Sequence, residues 1–348
     1  MIEASDKARV SAIGAGRRAE SVVQLDPTPH QLRRFQSHAL HQGDRIWCNA
    51  NAYGDLWIEL LHGYGFDPYA ALGSTVSQDF EGDQFTLLKF PHADLESLYG
   101  LQVQELAIYD SLEDRVAAQT QRGHAVIMEV DAFYLPDTRG TTYRLGHAKT
   151  TIGIDYINAR ARRLGYFHNT GYFVLDGKDY DGVLRLLPEL SKQFNFLLPY
   201  VEFSKRARPA LNGTALAEAS ADVLTEHLAL RPTSNPINRW RSAFPEHMDM
   251  ILERGSPYLK LYTFNLTQQL GANFQYLAKY LGWMRTQGFD IPASIPTAAQ
   301  KIASEAMEIQ LRTAQANMDK RTDLCNDCFD MLTAAYDQTI ASLVALAG

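Results

Sequence analysis

The feature that most constrains this chain is the stretch 47–67, W-C-N-A-N-A-Y-G-D-L-W-I-E-L-L-H-G-Y-G-F-D. From Asp55 it reads as a short helix. Leu56, Trp57, Ile58, Leu60 and Leu61 are too dense for a helix with one wet side, and Gly63 and Gly65 end it. Such a helix must be buried, so the rest of the fold has to be built around it. Its entry, Asn49-Ala50-Asn51-Ala52, is polar and small. A buried helix start points unpaired backbone N–H groups at one spot, where they lower a thiol pKa or hold an oxyanion. An ordinary capped core helix would look the same on this stretch alone.

The chain has 348 residues, enough for two domains or for one large core with an appendage. A net charge of −7 gives no electrostatic footprint for nucleic acid. No apolar run reaches the length of a membrane span, and no signal peptide opens the chain. Three cysteines, an odd number, point to a reducing cytoplasm without a disulfide framework. Residues 1–20 read as a mobile leader. Their Gly14-Ala15-Gly16-Arg17-Arg18-Ala19 fits a dinucleotide fingerprint only formally, because no strand precedes it.

Strands are expected at 22–25, 85–90, 103–109, 125–130, 150–154, 163–169 and 172–175, with helices at 91–99 and 112–122. Turn-sized connections between them indicate an α+β fold, an antiparallel sheet packed on helices, over residues 21–200. Residues 201–348 read as a helical domain. Helices are expected at 184–194, 215–230, 258–287 and 297–346, with Pro232, Pro236, Pro245 and Pro257 breaking the chain into short pieces. Lys205, Arg206 and Arg208 are expected in an exposed basic connector between the domains.

His147 stands at the mouth of a strand in G-H-A-K-T-T-I-G-I-D, and Asn169 ends the next one in Y-F-H-N-T-G-Y. A histidine so placed can take and return a proton opposite a helix start, and a neighbouring amide can fix its tautomer. A structural strand histidine fits the pattern too. Cys325-Asn326-Asp327-Cys328 forms a C-x-x-C pair inside an expected helix, with no second pair beside it. Asp79, Glu81 and Asp83 read as a solvated turn or a specificity loop, and Tyr258, Tyr262, Phe274, Tyr276 and Tyr280 as core.

The motifs W-C-N-A-N-A-Y-G-D-L-W-I-E-L-L-H-G, D-F-E-G-D-Q-F-T, V-D-A-F-Y-L-P-D-T-R-G-T, H-A-K-T-T-I-G-I and R-L-G-Y-F-H-N-T-G-Y resemble a bacterial domain-of-unknown-function family. That family is distantly similar to butirosin-type, carrier-protein-dependent acyltransferases with a papain-like fold. The resemblance covers about residues 22–198. It implies a cysteine-dependent acyltransferase that moves an acyl or aminoacyl group from a carrier-protein thioester to a small amine. No cofactor is implied beyond the phosphopantetheine arm that the carrier brings. A cysteine peptidase or amidase and a non-catalytic carrier-binding module are the alternatives.

By the same resemblance His147 is the general base and Asn169 its orienting partner, while Asp131 and Tyr134 line the acyl cleft. The family's first motif puts its cysteine where this chain has Ala52. Three explanations stand open: an engineered replacement, Cys48 serving instead, or a relative without the catalysis. The upstream glutamine of papain-like oxyanion holes is also missing, with Ile46 in its place, so Asn49 or Asn51 would supply that donor. An acidic carrier would dock on a basic patch, either Arg160, Arg162 and Arg163 or the connector Lys205, Arg206 and Arg208.

Overall fold

The computed structural model describes residues 35–43, 45–48, 51–191 and 198–347. The expected leader and the strand at 22–25 lie outside them. The first long element is α1, Ala52–Gly63, which starts three residues before the expected point. Asn51 caps it, its Oδ1 accepting the Gly54 N–H at 2.9 Å. Nine consecutive residues, Tyr53 to Leu61, are buried. A 3-10 run, Pro68–Ser77, and α2, His92–Tyr99, follow.

The sheet has six strands: β1 (Leu101–Glu105), β2 (Ala125–Asp131), β3 (Lys149–Asn158), β4 (Arg163–His168), β5 (Gly171–Asp176) and β6 (Val201–Arg206). Their order is β1-β6-β2-β3-β4-β5, and every pairing is antiparallel. It is an open sheet, and the architecture is α+β. Between strands lie α3 (Leu112–Thr120), α4 (Gly177–Val183) and the short α5 (Pro188–Ser191). Because β6 sits inside the sheet, the sheet unit runs past residue 200. Lys205 and Arg206 belong to a strand rather than to a connector.

Alternation along the strands divides the core. Ala125, Ile127, Leu101, Val103 and Phe167 face α1 and the helices beyond it. Val126, Met128, Val130, Ile152, Ile154 and Tyr166 face α3 and α4 on the other side. The expected strand at 85–90 forms only a single bridge, Phe80 to Phe85. Phe85, Leu88 and Phe90 are buried while Leu87 and Lys89 are exposed, a strand-like pattern in a segment that has no partner strand among the described residues.

The C-terminal region is helical: α6 (Gly213–Ala229), α7 (Pro236–Arg254), α8 (Ser256–Asn265), α9 (Thr267–Thr286), α10 (Ser294–Asp319) and α11 (Asn326–Ala347). Pro245 lies inside α7, where short pieces were expected. Ile237, Trp240, Phe244, Met248 and Ile251 are buried along one face. Five such side chains at about 1.5–3 kcal/mol each outweigh the ~3 kcal/mol cost of an internal proline. The expected helix at 297–346 breaks at Lys320 and Cys325, both with positive φ. Both regions share one hydrophobic core, and Trp47 ties them directly. Its indole N–H donates to Ala303 O at 2.9 Å, and its ring lies so close to Gly271 that a Cβ there would sit 2.1 Å away.

Candidate functional site

β2 ends at Asp131, and the chain returns to β3 through a loop that carries Phe133, Tyr134, Arg144 and His147. Asp131 holds this loop together. Its Oδ1 accepts the backbone N–H of Phe133 at 3.0 Å and of Ala148 at 3.3 Å, and its Oδ2 lies 2.5 Å from His147 Nδ1. A carboxylate only accepts, so Nδ1 carries the ring proton and Nε2 presents a lone pair. Among the described residues Nε2 has no hydrogen-bond partner. The imidazole stacks on Phe133, with centroids 4.6 Å apart and planes 17° apart, and its side chain is 71% exposed. Orientation is fixed from behind while the reactive nitrogen stays open.

This pair opens on a cavity of about 710 Å³, lined among others by Asp131, His147, Tyr134, Arg144, Arg185 and Glu189. Arg144, in the left-handed region at φ 57°, lies over the rings of Phe133, Tyr134 and Tyr143 and pairs with Asp179. Burial lowers the Arg185 pKa, and the charge of Asp131 works against that shift. On the opposite wall, a Cβ at Gly182 would fall 2.1 Å from the Tyr134 ring, so only glycine lets α4 come this close. Lys149 pairs with Glu129 at 2.8 Å on the rim.

Asn169 does not orient His147. It has φ 48° and begins the two-residue turn between His168 and Gly171, a position asparagine tolerates well. Its amide nitrogen meets His168 Nδ1 at 3.4 Å. The orienting place assigned to it belongs to Asp131, which the sequence had given a cleft-lining part. Asn51 is no free oxyanion donor. Its amide nitrogen donates to Leu88 O at 2.6 Å, its oxygen caps α1, and the residue is buried. Asn49 lies outside the described residues. Cys48 is exposed, and its thiol lies 3.6 Å from Arg45 O.

Ala52 is the first residue of α1. That helix crosses the sheet along one row: Tyr53 O–H donates to Glu202 at 2.7 Å and Leu56 lies on Gly153, both in register with Ile127. Asp131 is four residues further along β2, roughly 13 Å away. The described contacts of residues 51 and 53 run to Leu88, Gly54, Trp57, Lys89 and Glu202, and those of His147 to Asp131 and Phe133.

The arginine turn occupies the other end of β3. Arg163 pairs with Asn158, nine residues from Lys149 and roughly 30 Å along the strand. Arg162 is engaged with Asp181. Arg206 lies over Phe66, and Arg208 donates to Glu96 O. Neither patch adjoins His147, whereas Arg144, Arg185 and Lys178 line its cavity. Sequence reasoning missed those three, for they come from loop and helix positions with no periodic signal.

A second histidine cluster is sealed. On α1, Asp55 and Glu59 are fully buried, and His41 bridges them, Nε2 to Asp55 at 3.1 Å and Nδ1 to Glu59. Tyr276 of α9 donates to Asp55, and Arg45 donates to the Tyr276 hydroxyl at 3.0 Å. Burial lowers the His41 pKa, but hydrogen bonds to the two carboxylates and their charges raise it above its ordinary value. Cys325 and Cys328 are buried thiols whose pKa burial pushes up, to about 12 for Cys325, which is the wrong direction for redox work. Among the described residues no group of three or more His, Cys, Asp or Glu could hold a metal, and no helix is long and apolar enough to cross a membrane.

Two family models match: the DUF1839 N-terminal domain over residues 36–206 and the DUF1839 C-terminal domain over residues 213–345. Neither match carries the butirosin-type or papain-like relation that the motifs suggested. No curated protein matches the chain.

Proposed function

We propose that this chain, which belongs to the DUF1839 family, is an acyltransferase that moves an acyl or aminoacyl group from a carrier-protein thioester to an amine. The observation that supports it is the exposed His147, fixed through Nδ1 by Asp131 with Nε2 open on the cavity. The acceptor amine attacks the acyl carbonyl while Nε2 takes its proton, the C–N bond forms and the C–S bond breaks. His147 then returns the proton to the departing sulfur. Arg185, on the same cavity, offsets the negative charge that develops on the carbonyl oxygen. The papain-like comparison enters as a helix start set against an antiparallel sheet. With Ala52 at that start, this route needs no thiol from residue 52.

Thiol release from a loaded carrier protein, followed with and without amines, tests the proposal. His147→Ala should lower the amine-dependent rate on the order of 10²–10⁴-fold. An unchanged rate would remove His147 from the chemistry. Carrier binding with no release at all would leave the chain a binding module. An acyl adduct on Cys48 that forms and decays with turnover would restore a thiol route.

A further inference from the structure

Thr150, His168 and Asp137 form a hydrogen-bonded chain that the transfer above leaves unused. Thr150 Oγ1 on β3 lies 2.9 Å from His168 Nε2 on β4. The opposite ring nitrogen, Nδ1, lies 2.5 Å from Asp137 Oδ2, in the loop after β2. The other oxygen of Asp137 accepts the Tyr166 hydroxyl. With Nδ1–H donating to the carboxylate, Nε2 holds a lone pair toward the threonine hydroxyl, which donates. Hydroxyl, base and orienting carboxylate thus stand in the order that activates an alcohol as a nucleophile.

Burial suits the parts. The His168 and Asp137 side chains are 1% and 4% exposed, while Thr150 is half-buried near the start of β3. Thr150 shares a strand face with Ile152 and Ile154, the face that carries α4, and its cross-strand partner Val130 lines the His147 cavity.

We infer that Thr150 carries the acyl group between donor and amine, so that two displacements replace the direct attack on the thioester, an inference that rests on the acyl-transfer reading of the cavity. Thr150 Oγ attacks the thioester carbonyl, the C–O bond forms, and the hydroxyl proton moves to His168 Nε2. The C–S bond breaks and the sulfur leaves as thiolate. The amine then attacks the Thr150 ester while His147 takes its proton. The C–N bond forms, the C–O bond breaks, and His168 returns its proton to Thr150 Oγ. The proton on His147 reaches the thiolate through solvent, so the sum is thioester and amine to amide and thiol.

The test is intact mass after incubation with a millimolar acyl N-acetylcysteamine thioester, amine omitted. The expected result is one acyl group per chain on the peptide that contains Thr150, removed by hydroxylamine as an ester should be. Thr150→Val abolishes it, Thr150→Ser keeps it, and His168→Gln slows its formation at least about 10-fold. No label overturns the inference, as does label on Cys48, hydroxylamine-resistant label on Lys149, or label that persists in Thr150→Val. If Thr150→Val still makes amide at the wild-type rate, the transfer stands and Thr150 as carrier falls. If Thr150 takes the label and no amine accepts it, the transfer reading falls and the reactive threonine stands.

Discussion

The histidine–carboxylate arrangements around His41 and His147 differ in what is left over. His41 has both ring nitrogens committed, one to Asp55 and one to Glu59, inside a core that excludes water. His147 has one nitrogen committed to Asp131 and the other open on a cavity. The first arrangement joins parts: His41 from the N-terminal segment, two acids from α1, Tyr276 from α9. The second can exchange a proton with something that is not protein. Residue types alone do not separate structural from chemical histidines. What the second nitrogen meets does: for His41 it is another carboxylate, whereas the Nε2 of His147 faces a cavity and that of His168 faces a hydroxyl.

Breaking the sealed cluster should have the largest effect. Asp55→Ala leaves His41 with Glu59 alone and takes from buried Arg45 the carboxylate it pairs with, which costs about 3–5 kcal/mol. Urea unfolding at pH 6 would show it, and a loss under ~1 kcal/mol would mean water reaches the cluster. The wild-type pH dependence carries the same signature. Burial raises the Asp55 pKa, but His41, Arg45 and Tyr276 bring it below its ordinary 3.8. Its stabilisation is therefore present above that value and lost as pH falls through the folded pKa. That of His41, whose pKa is raised, is full below 6.5 and lost as pH rises through its folded pKa. His38 pulls the other way. Burial and neighbouring positive groups hold it at about 4, so it costs stability as pH falls from 6.5 toward 4.

The open pair should respond oppositely. Asp131→Asn keeps the hydrogen-bond shape but lets the imidazole adopt the wrong tautomer. Amine-dependent turnover should drop on the order of 10²-fold. Its stability should stay within about 1 kcal/mol, since the pair is exposed to solvent. A large drop in unfolding free energy with turnover intact would make the pair a loop fastener and erase the contrast with His41.

Much of the frame was legible in the sequence. A-V-I-M-E-V is β2, and the apolar block after Asp55 is the buried helix, because burial on both sides writes itself as continuous hydrophobicity. Asp55 and Glu59, one helical turn apart inside that block, were visible as acids, but the histidine that pairs with them and the tyrosine that donates to Asp55 lie 14 and 221 residues away from Asp55. Asn169 misled because the same strand-end position serves a turn that needs positive φ. Its neighbour His168 points to the opposite face, where alternation had already put Tyr166. Asp131 was in view, but assigning its partner required the loop to fold back from Phe133 to His147. No local pattern encodes that return.

The smallest expected effect concerns another carboxylate, Asp155, which among the described residues has a tyrosine partner and no paired cation. Asp155 lies at the irregular register between Ile154 and Tyr156 on β3, and Tyr172 O–H donates to it at 2.8 Å. Burial raises its pKa to about 7, and the hydrogen bond from Tyr172 recovers only part of that. Between pH 3.8 and 7 the folded state therefore holds a proton that the unfolded chain has released, so stability falls as pH rises through this window. Asp155→Asn keeps an acceptor for Tyr172 and removes the charge. It should stabilise the protein by about 1–2 kcal/mol at pH 8, after allowance for partial solvent access, and by almost nothing at pH 4. Paired urea unfolding curves at the two pH values measure the difference. Equal effects at both would mean that an unseen cation neutralises Asp155, which would place it with Asp55 as a compensated acid rather than apart from it.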